Sequence, residues 1–232
     1  MKRADGGLFL VAGDPGRRGR GKDPLLEMIF ARIGRTRPRV AYVGAASSDN
    51  RLFFLWIAAL LKKAGAGEVG LVPLASRRAD AAAARSLLEL ADVVFVSGGD
   101  VELGMRLVER TGVDALLKGI RAQGRPFIGM SAGSIMLAAQ WVRWGDAADE
   151  ATAAAFPCLG LAPLLCDTHA EKEGWPELRM LLRLTAAPVG YGIPAGGALQ
   201  VAADGSLAAL GRPVQRIALD SDLPELKPSW AI

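Results

Sequence analysis

The residues from Phe127 to Leu137 read Phe-Ile-Gly-Met-Ser-Ala-Gly-Ser-Ile-Met-Leu, which sets Ser131 two positions from a glycine on either side. Strand formers precede it and helix formers follow it. That order is the mark of a nucleophile elbow, in which a tight turn lifts a serine hydroxyl above a sheet. The amide of Ala132, opening the helix, is then placed to donate to a developing oxyanion. A serine nucleophile needs a base, and the chain holds one histidine, His169, 38 positions further on in Leu164-Leu165-Cys166-Asp167-Thr168-His169. The chemistry these two imply is acyl transfer through a covalent intermediate. The acid that would orient the imidazole stays open among Asp146, Asp167, Glu171 and Glu173. Asp146 follows Ser131 by 15 positions. Asp167 shares a strand face with His169 and could equally line the substrate pocket. A second oxyanion donor is expected from Gly99, where the strand Val93-Val94-Phe95-Val96 runs into Ser97-Gly98-Gly99-Asp100.

A competing motif stands near the start. Gly16 to Lys22 matches G-x-x-x-x-G-K, the phosphate-cradling pattern, but Asp23 occupies the position where a magnesium-binding Ser or Thr belongs. Asp23 is better suited to cap a helix that begins at Pro24, leaving Arg17 to Lys22 as a basic surface loop. Nucleotide binding would show as protection from unfolding by nucleotide.

To bring Ser131 and His169 to one place, the chain must supply a scaffold, and its pattern supplies strands that alternate with helices. Strands are expected at Leu8 to Ala12, Arg39 to Val43, Glu68 to Pro73, Val93 to Val96 and Pro126 to Met130. Helices are expected at Pro24 to Ile33, Arg51 to Ala64, Ala79 to Glu89, Gly104 to Arg121 and Ser134 to Ala139. The strands are apolar on both faces, as in a parallel sheet covered on two sides. Further on, Ala147 to Ala155 reads as a loop or short helix. Gly190 to Ile193, Ala198 to Ala202 and Ser206 to Leu210 read as a terminal hairpin turning at Asp204-Gly205, and the segment from Asp220 to Ile232 as an irregular strap.

Composition narrows the function classes. The 232 residues are 51% hydrophobic and 22% charged, with 28 basic against 24 acidic side chains. The excess is small and dispersed, unlike that of a nucleic-acid binder. Two cysteines, Cys158 and Cys166, and a single histidine leave no zinc site or disulfide framework. The longest apolar run, Leu52 to Leu61, falls well short of the roughly 20 residues of a membrane span. A cytoplasmic protein of one domain over residues 1–232 is expected.

Taken together, Ser97-Gly98-Gly99-Asp100, the Gly-Met-Ser-Ala-Gly-Ser elbow, Asp167-Thr168-His169 and Gly192-Ile193-Pro194-Ala195-Gly196-Gly197-Ala198-Leu199 resemble the peptidase E and cyanophycinase family, as does Val40 to Ser47. The resemblance implies a three-layer αβα sandwich with a mostly parallel central sheet, glutamine amidotransferase-like (flavodoxin-like), and a serine exopeptidase acting on short peptides. It makes Ser131 the nucleophile, His169 the base, and the amides of Gly99 and Ala132 the oxyanion hole. The dipeptidase branch points to Asp146 as the third member. Lys172 and Arg179 become the basic groups that would hold an acidic N-terminal residue, with Asp100 and Asp167 beside the substrate. No cofactor or metal is implied; the partner is a small peptide, and a homodimer is one candidate assembly. The chain departs from the family at Ala195, where both branches carry Glu, and at Ala170, where an aromatic is usual. A cyanophycinase-like peptidase and a catalytically impaired, ligand-binding member of the same fold are the alternatives.

Overall fold

The structure, a computed structural model, describes residues 7–13, 21–75, 79–146, 149–219 and 221–228. Strands β1 (Leu8–Val11), β2 (Val40–Val43), β3 (Val69–Val72), β4 (Val93–Val96) and β5 (Phe127–Met130) run parallel in the order β1-β5-β4-β2-β3. Their side chains alternate between two cores, because successive residues of a strand face opposite sides of the sheet. On one side, helices α1 (Pro24–Ile33) and α2 (Arg51–Ala64) press Leu26, Ile29, Ile57 and Leu61 against Phe9, Tyr42, Phe95 and Ile128. On the other, α3 (Ala81–Leu90), α4 (Val101–Arg110), α5 (Val113–Ala122) and α6 (Ala132–Leu137) bring Leu88, Met105, Leu117 and Ile135 onto Leu10, Val43 and Val96. This is the expected three-layer αβα sandwich. Asp23 caps α1, its Oδ1 accepting from the amides of Leu25 and Leu26 at 2.9 and 3.2 Å. Of the basic loop before it, residues 14–20 lie outside the described residues.

Beyond β1 the sheet is extended antiparallel by β10 (Ala198–Val201) and β11 (Leu207–Leu210), with the Asp204-Gly205 turn between them as read from the sequence. Four expectations change. Gly104 to Arg121 is two helices, broken at Thr111-Gly112, where Gly112 takes φ 70°. The region 147–155, read as a loop or short helix, holds a 3₁₀ turn at Glu150–Thr152 and then β7 (Ala153–Pro157), paired with β6 (Gln140–Trp144); residues 147 and 148 lie outside the described residues. Gly190–Ile193 forms β9, but in a second sheet of order β13-β12-β9-β8, with β8 (Cys166–Thr168), β12 (Val214–Ile217) and β13 (Asp222–Leu226). The strap from Asp220 is therefore largely a strand, with residues 220 and 229–232 outside the described residues. An Ala-rich strand such as β7 has no propensity to announce it; pairing and the burial of Phe156 decide.

The second sheet is covered by α7 (Pro176–Thr185), whose Leu178, Leu181 and Leu182 pack with Trp175, Leu165 and Ile217. Among the described residues no helix is long and apolar enough to cross a membrane.

Candidate active site

Ser131 stands between β5 and α6 with φ 54° and ψ −124°, a conformation that favours glycine and is costly for a residue with a Cβ. Its amide donates to the Val11 carbonyl at 2.7 Å, and its own carbonyl accepts from Ser134 at 2.8 Å. The two flanking glycines do not make the turn through a left-handed backbone. Neither takes a positive φ. They are small because backbones meet there: a methyl on Gly129 would lie 2.7 Å from the Gly133 carbonyl oxygen, and one on Gly133 only 2.1 Å from that of Val96. The strain sits on the serine, and the glycines let the strand, helix and β4 close around it.

Ser134, which sequence reasoning passed over, anchors the elbow. Its hydroxyl accepts from the Val11 amide at 2.8 Å and lies 2.9 Å from the Gly129 carbonyl, fully buried. Nothing in its type marked it out.

The Gly98-Gly99 turn lies directly against Ser131. A methyl on Gly98 would sit 3.1 Å from Ser131 Cβ. Gly99 takes φ 143° and packs so closely on the 3₁₀ turn Ala45–Ser47 that a methyl there would lie 2.0 Å from the Ala46 carbonyl oxygen. Asp100 caps α4, its Oδ1 accepting from Leu103 at 2.8 Å while its amide donates to Ala46 at 2.8 Å. Ala132 is the first residue of α6, as expected.

His169 comes from the second sheet. It follows β8, leaves the strand at φ 68°, and donates its amide to the Ile193 carbonyl at 3.2 Å. The bridge between the two sheets is the loop from Ile193 to Gly197: Gly196 donates to the Gly13 carbonyl at 2.7 Å, and Ala12 donates to that of Gly197 at 3.1 Å. Since Ser131 is itself bonded to Val11, this loop ties the histidine's sheet to the serine's.

The four candidate acids have separate environments. Asp146 is exposed at the turn end of the β6–β7 hairpin, its amide donating to Thr152 Oγ1 at 2.8 Å. Glu173 is exposed, as is Lys172. Glu171 is half-buried and accepts from the Ala195 amide at 3.2 Å through Oε1. Asp167 is only 4% exposed; Oδ1 accepts from the Thr168 amide at 2.6 Å, and Oδ2 is enclosed with no hydrogen-bond partner among the described residues. It shares a row with Gly192 and Gln215. Over Gly192 lies the Trp175 indole, whose Nε1 donates to Gln215. Neither Trp175 nor Gln215 was legible as part of the site. Arg179 is engaged elsewhere, with Asp222 at 2.6 Å and the Gly174 carbonyl at 2.9 Å.

Burial pushes the Asp167 carboxyl up to about 7, against the Thr168 hydrogen bond that lowers it, with Glu177 adding repulsion. The sign follows. A carboxyl held above its unfolded value stabilises the fold fully below about pH 4, and that stability drains away as pH rises towards about 7. Thermal unfolding from pH 4 to 8 is expected to show wild type losing stability relative to Asp167→Asn, which has no proton to lose. Parallel curves would contradict it. Both cysteines are buried, which pushes Cys158 up to about 12 and Cys166 well above the usual range, so both thiols stay protonated near neutral pH.

Comparison with curated proteins gives no match. Among solved structures, a peptidase from an acI-B1 Actinobacterium superposes with TM-score 0.71 at 18% identity, covering 98% of this chain and 96% of that one. A putative peptidase E protein from Listeria monocytogenes EGD-e superposes with TM-score 0.62 at 17% identity, covering 88% and 96%. At such identities the likeness concerns the fold. The sequence itself matches the model of peptidase family S51 over residues 8–208, and on that match the chain belongs to peptidase family S51.

Proposed function

We propose that the protein is a serine exopeptidase of the dipeptidase E kind, hydrolysing short peptides through an acyl-enzyme on Ser131. The observation that carries this reading is the backbone of Ser131, held at φ 54° and ψ −124° against the Gly98-Gly99 turn. Strain of this kind persists where the surroundings over-determine it, and at a strand-to-helix elbow it exposes the hydroxyl. In the proposed sequence His169 takes the Ser131 proton, Oγ attacks the scissile carbonyl, and the oxyanion is held by the amides of Ala132 and Gly99. The imidazolium protonates the leaving amine, and water, activated by the same imidazole, releases the acyl group. Asp146 is the acid proposed to complete the triad.

An acidic N-terminal residue is the proposed substrate preference, with the exposed Lys172 as its cation in preference to Arg179, which is tied to Asp222. The test is labelling with an activated aryl phosphonate followed by mass mapping. A single adduct on Ser131, lost in Ser131→Ala and slowed in His169→Ala, supports the reading, and a dipeptide panel then ranks substrates. A folded protein that takes no label would instead be a ligand-binding member of the family.

A further inference from the structure

The parallel ladder between β8 and β9 breaks at the histidine, and the break is repaired by a side chain. The ladder steps two residues at a time, as in the bond from the Tyr191 amide to the Leu165 carbonyl. Continued, it would hand the Ala195 amide to the carbonyl of His169. His169 has turned away at φ 68°, and the Ala195 amide goes to Glu171 Oε1 at 3.2 Å. The other donors of this loop are all accounted for: Gly196 bonds Gly13, Gly197 bonds the Pro194 carbonyl at 2.8 Å, and Pro194 has no N–H. Arg212 Nη1 holds the opposite side of the same residue, donating to the Ala195 carbonyl at 3.3 Å.

We propose that Glu171 is a positioning residue, a clasp that fixes the His169 turn to the Ile193–Gly197 loop and so sets the imidazole against the elbow. This rests on the reading of Ser131 and His169 above. The clasp needs an acceptor and not a charge: Oε1 takes the Ala195 amide, while Oε2 is enclosed and takes no hydrogen bond among the described residues. Glutamine keeps that acceptor, and alanine removes it. The donor can be removed independently. Gly196 at φ 75° with the Gly197-to-Pro194 bond makes Pro194 to Gly197 a type II turn, whose second position, Ala195, accepts proline. Ala195→Pro therefore deletes the N–H and keeps the turn.

A displaced base costs rate more than binding, so Glu171→Ala and Ala195→Pro are each expected to lower kcat by about 10- to 100-fold with KM within about twofold. The double variant should be no worse than either, and Glu171→Gln should rescue most of the loss. His169 is the only histidine, so its imidazole Cε1–H gives a single assignable NMR signal that reports the turn without reference to activity. It is expected to move in Glu171→Ala and Ala195→Pro and to stay near wild type in Glu171→Gln. Glutamine failing as badly as alanine, or alanine leaving both signal and rate unchanged, overturns the clasp. A wild type that phosphonate does not label would sink the serine mechanism, yet the imidazole signal would still decide the clasp.

Discussion

Ser131→Ala is expected to abolish hydrolysis, by at least about 10⁴-fold in kcat, while the protein melts within a degree or so of wild type. Both halves follow from the elbow. Alanine carries the same Cβ, so it inherits the strain at φ 54° and ψ −124° and relieves nothing. It leaves the Ser131 amide on Val11 and its carbonyl on Ser134, since both bonds are backbone. Glycine at the same position behaves differently. Strain of this kind costs about 1–3 kcal/mol, and glycine's extra unfolded-state entropy gives back about 0.5–1 kcal/mol of the relief. Ser131→Gly should thus be inactive yet more stable than wild type by roughly 1 kcal/mol, a rise of about 2–4 °C in Tm for a chain of this size. Differential scanning calorimetry of the three proteins decides it. Residual turnover in Ser131→Ala above contaminant level would remove Ser131 from the mechanism, and equal melting of Ala and Gly variants would remove the strain.

The parallel half of the fold could be read in advance because its signals are local. Val93-Val94-Phe95-Val96 and Phe127 to Met130 are short apolar runs closed by small residues, and they become β4 and β5 as expected. The second sheet could not, because its strands are defined by partners distant in sequence. Cys166-Asp167-Thr168 is a strand only because Gly190–Ile193 lies beside it, and Gly190–Ile193 in turn pairs on its other edge with Val214–Ile217. The same holds for the site. Ser131 and His169 stand out by residue type, whereas Ser134, Trp175 and the clasp at Glu171 act through contacts 24 to 123 positions apart. The glycines were legible as a pattern but not in their reason, which is the closeness of three backbones.

That closeness makes Gly133→Ala the most damaging single methyl in the elbow. The added carbon would lie 2.1 Å from the Val96 carbonyl oxygen, 2.7 Å from its carbon and 2.9 Å from the Ser97 carbonyl oxygen. None of these is a side chain that can rotate aside. Either α6 lifts from the sheet or the end of β4 moves, and overpacking of this kind costs about 1–3 kcal/mol or more. Lifting α6 carries the Ala132 amide and Ser131 with it and opens the Ser134 anchor on Val11. Activity should therefore fall by at least about 100-fold even in the fraction that folds, since a shift of about 1 Å at reacting groups is enough. Gly119→Ala is the matched control: it sits inside α5, a methyl there meets nothing within 4 Å, and helix propensity predicts a gain of up to about 1 kcal/mol with full activity. Urea unfolding and peptide hydrolysis measured on both variants separate the two cases. A Gly133→Ala protein that keeps wild-type rate and stability would mean that α6 and β4 stand further apart than 2.1 Å allows, and that the elbow's glycines answer to some other demand.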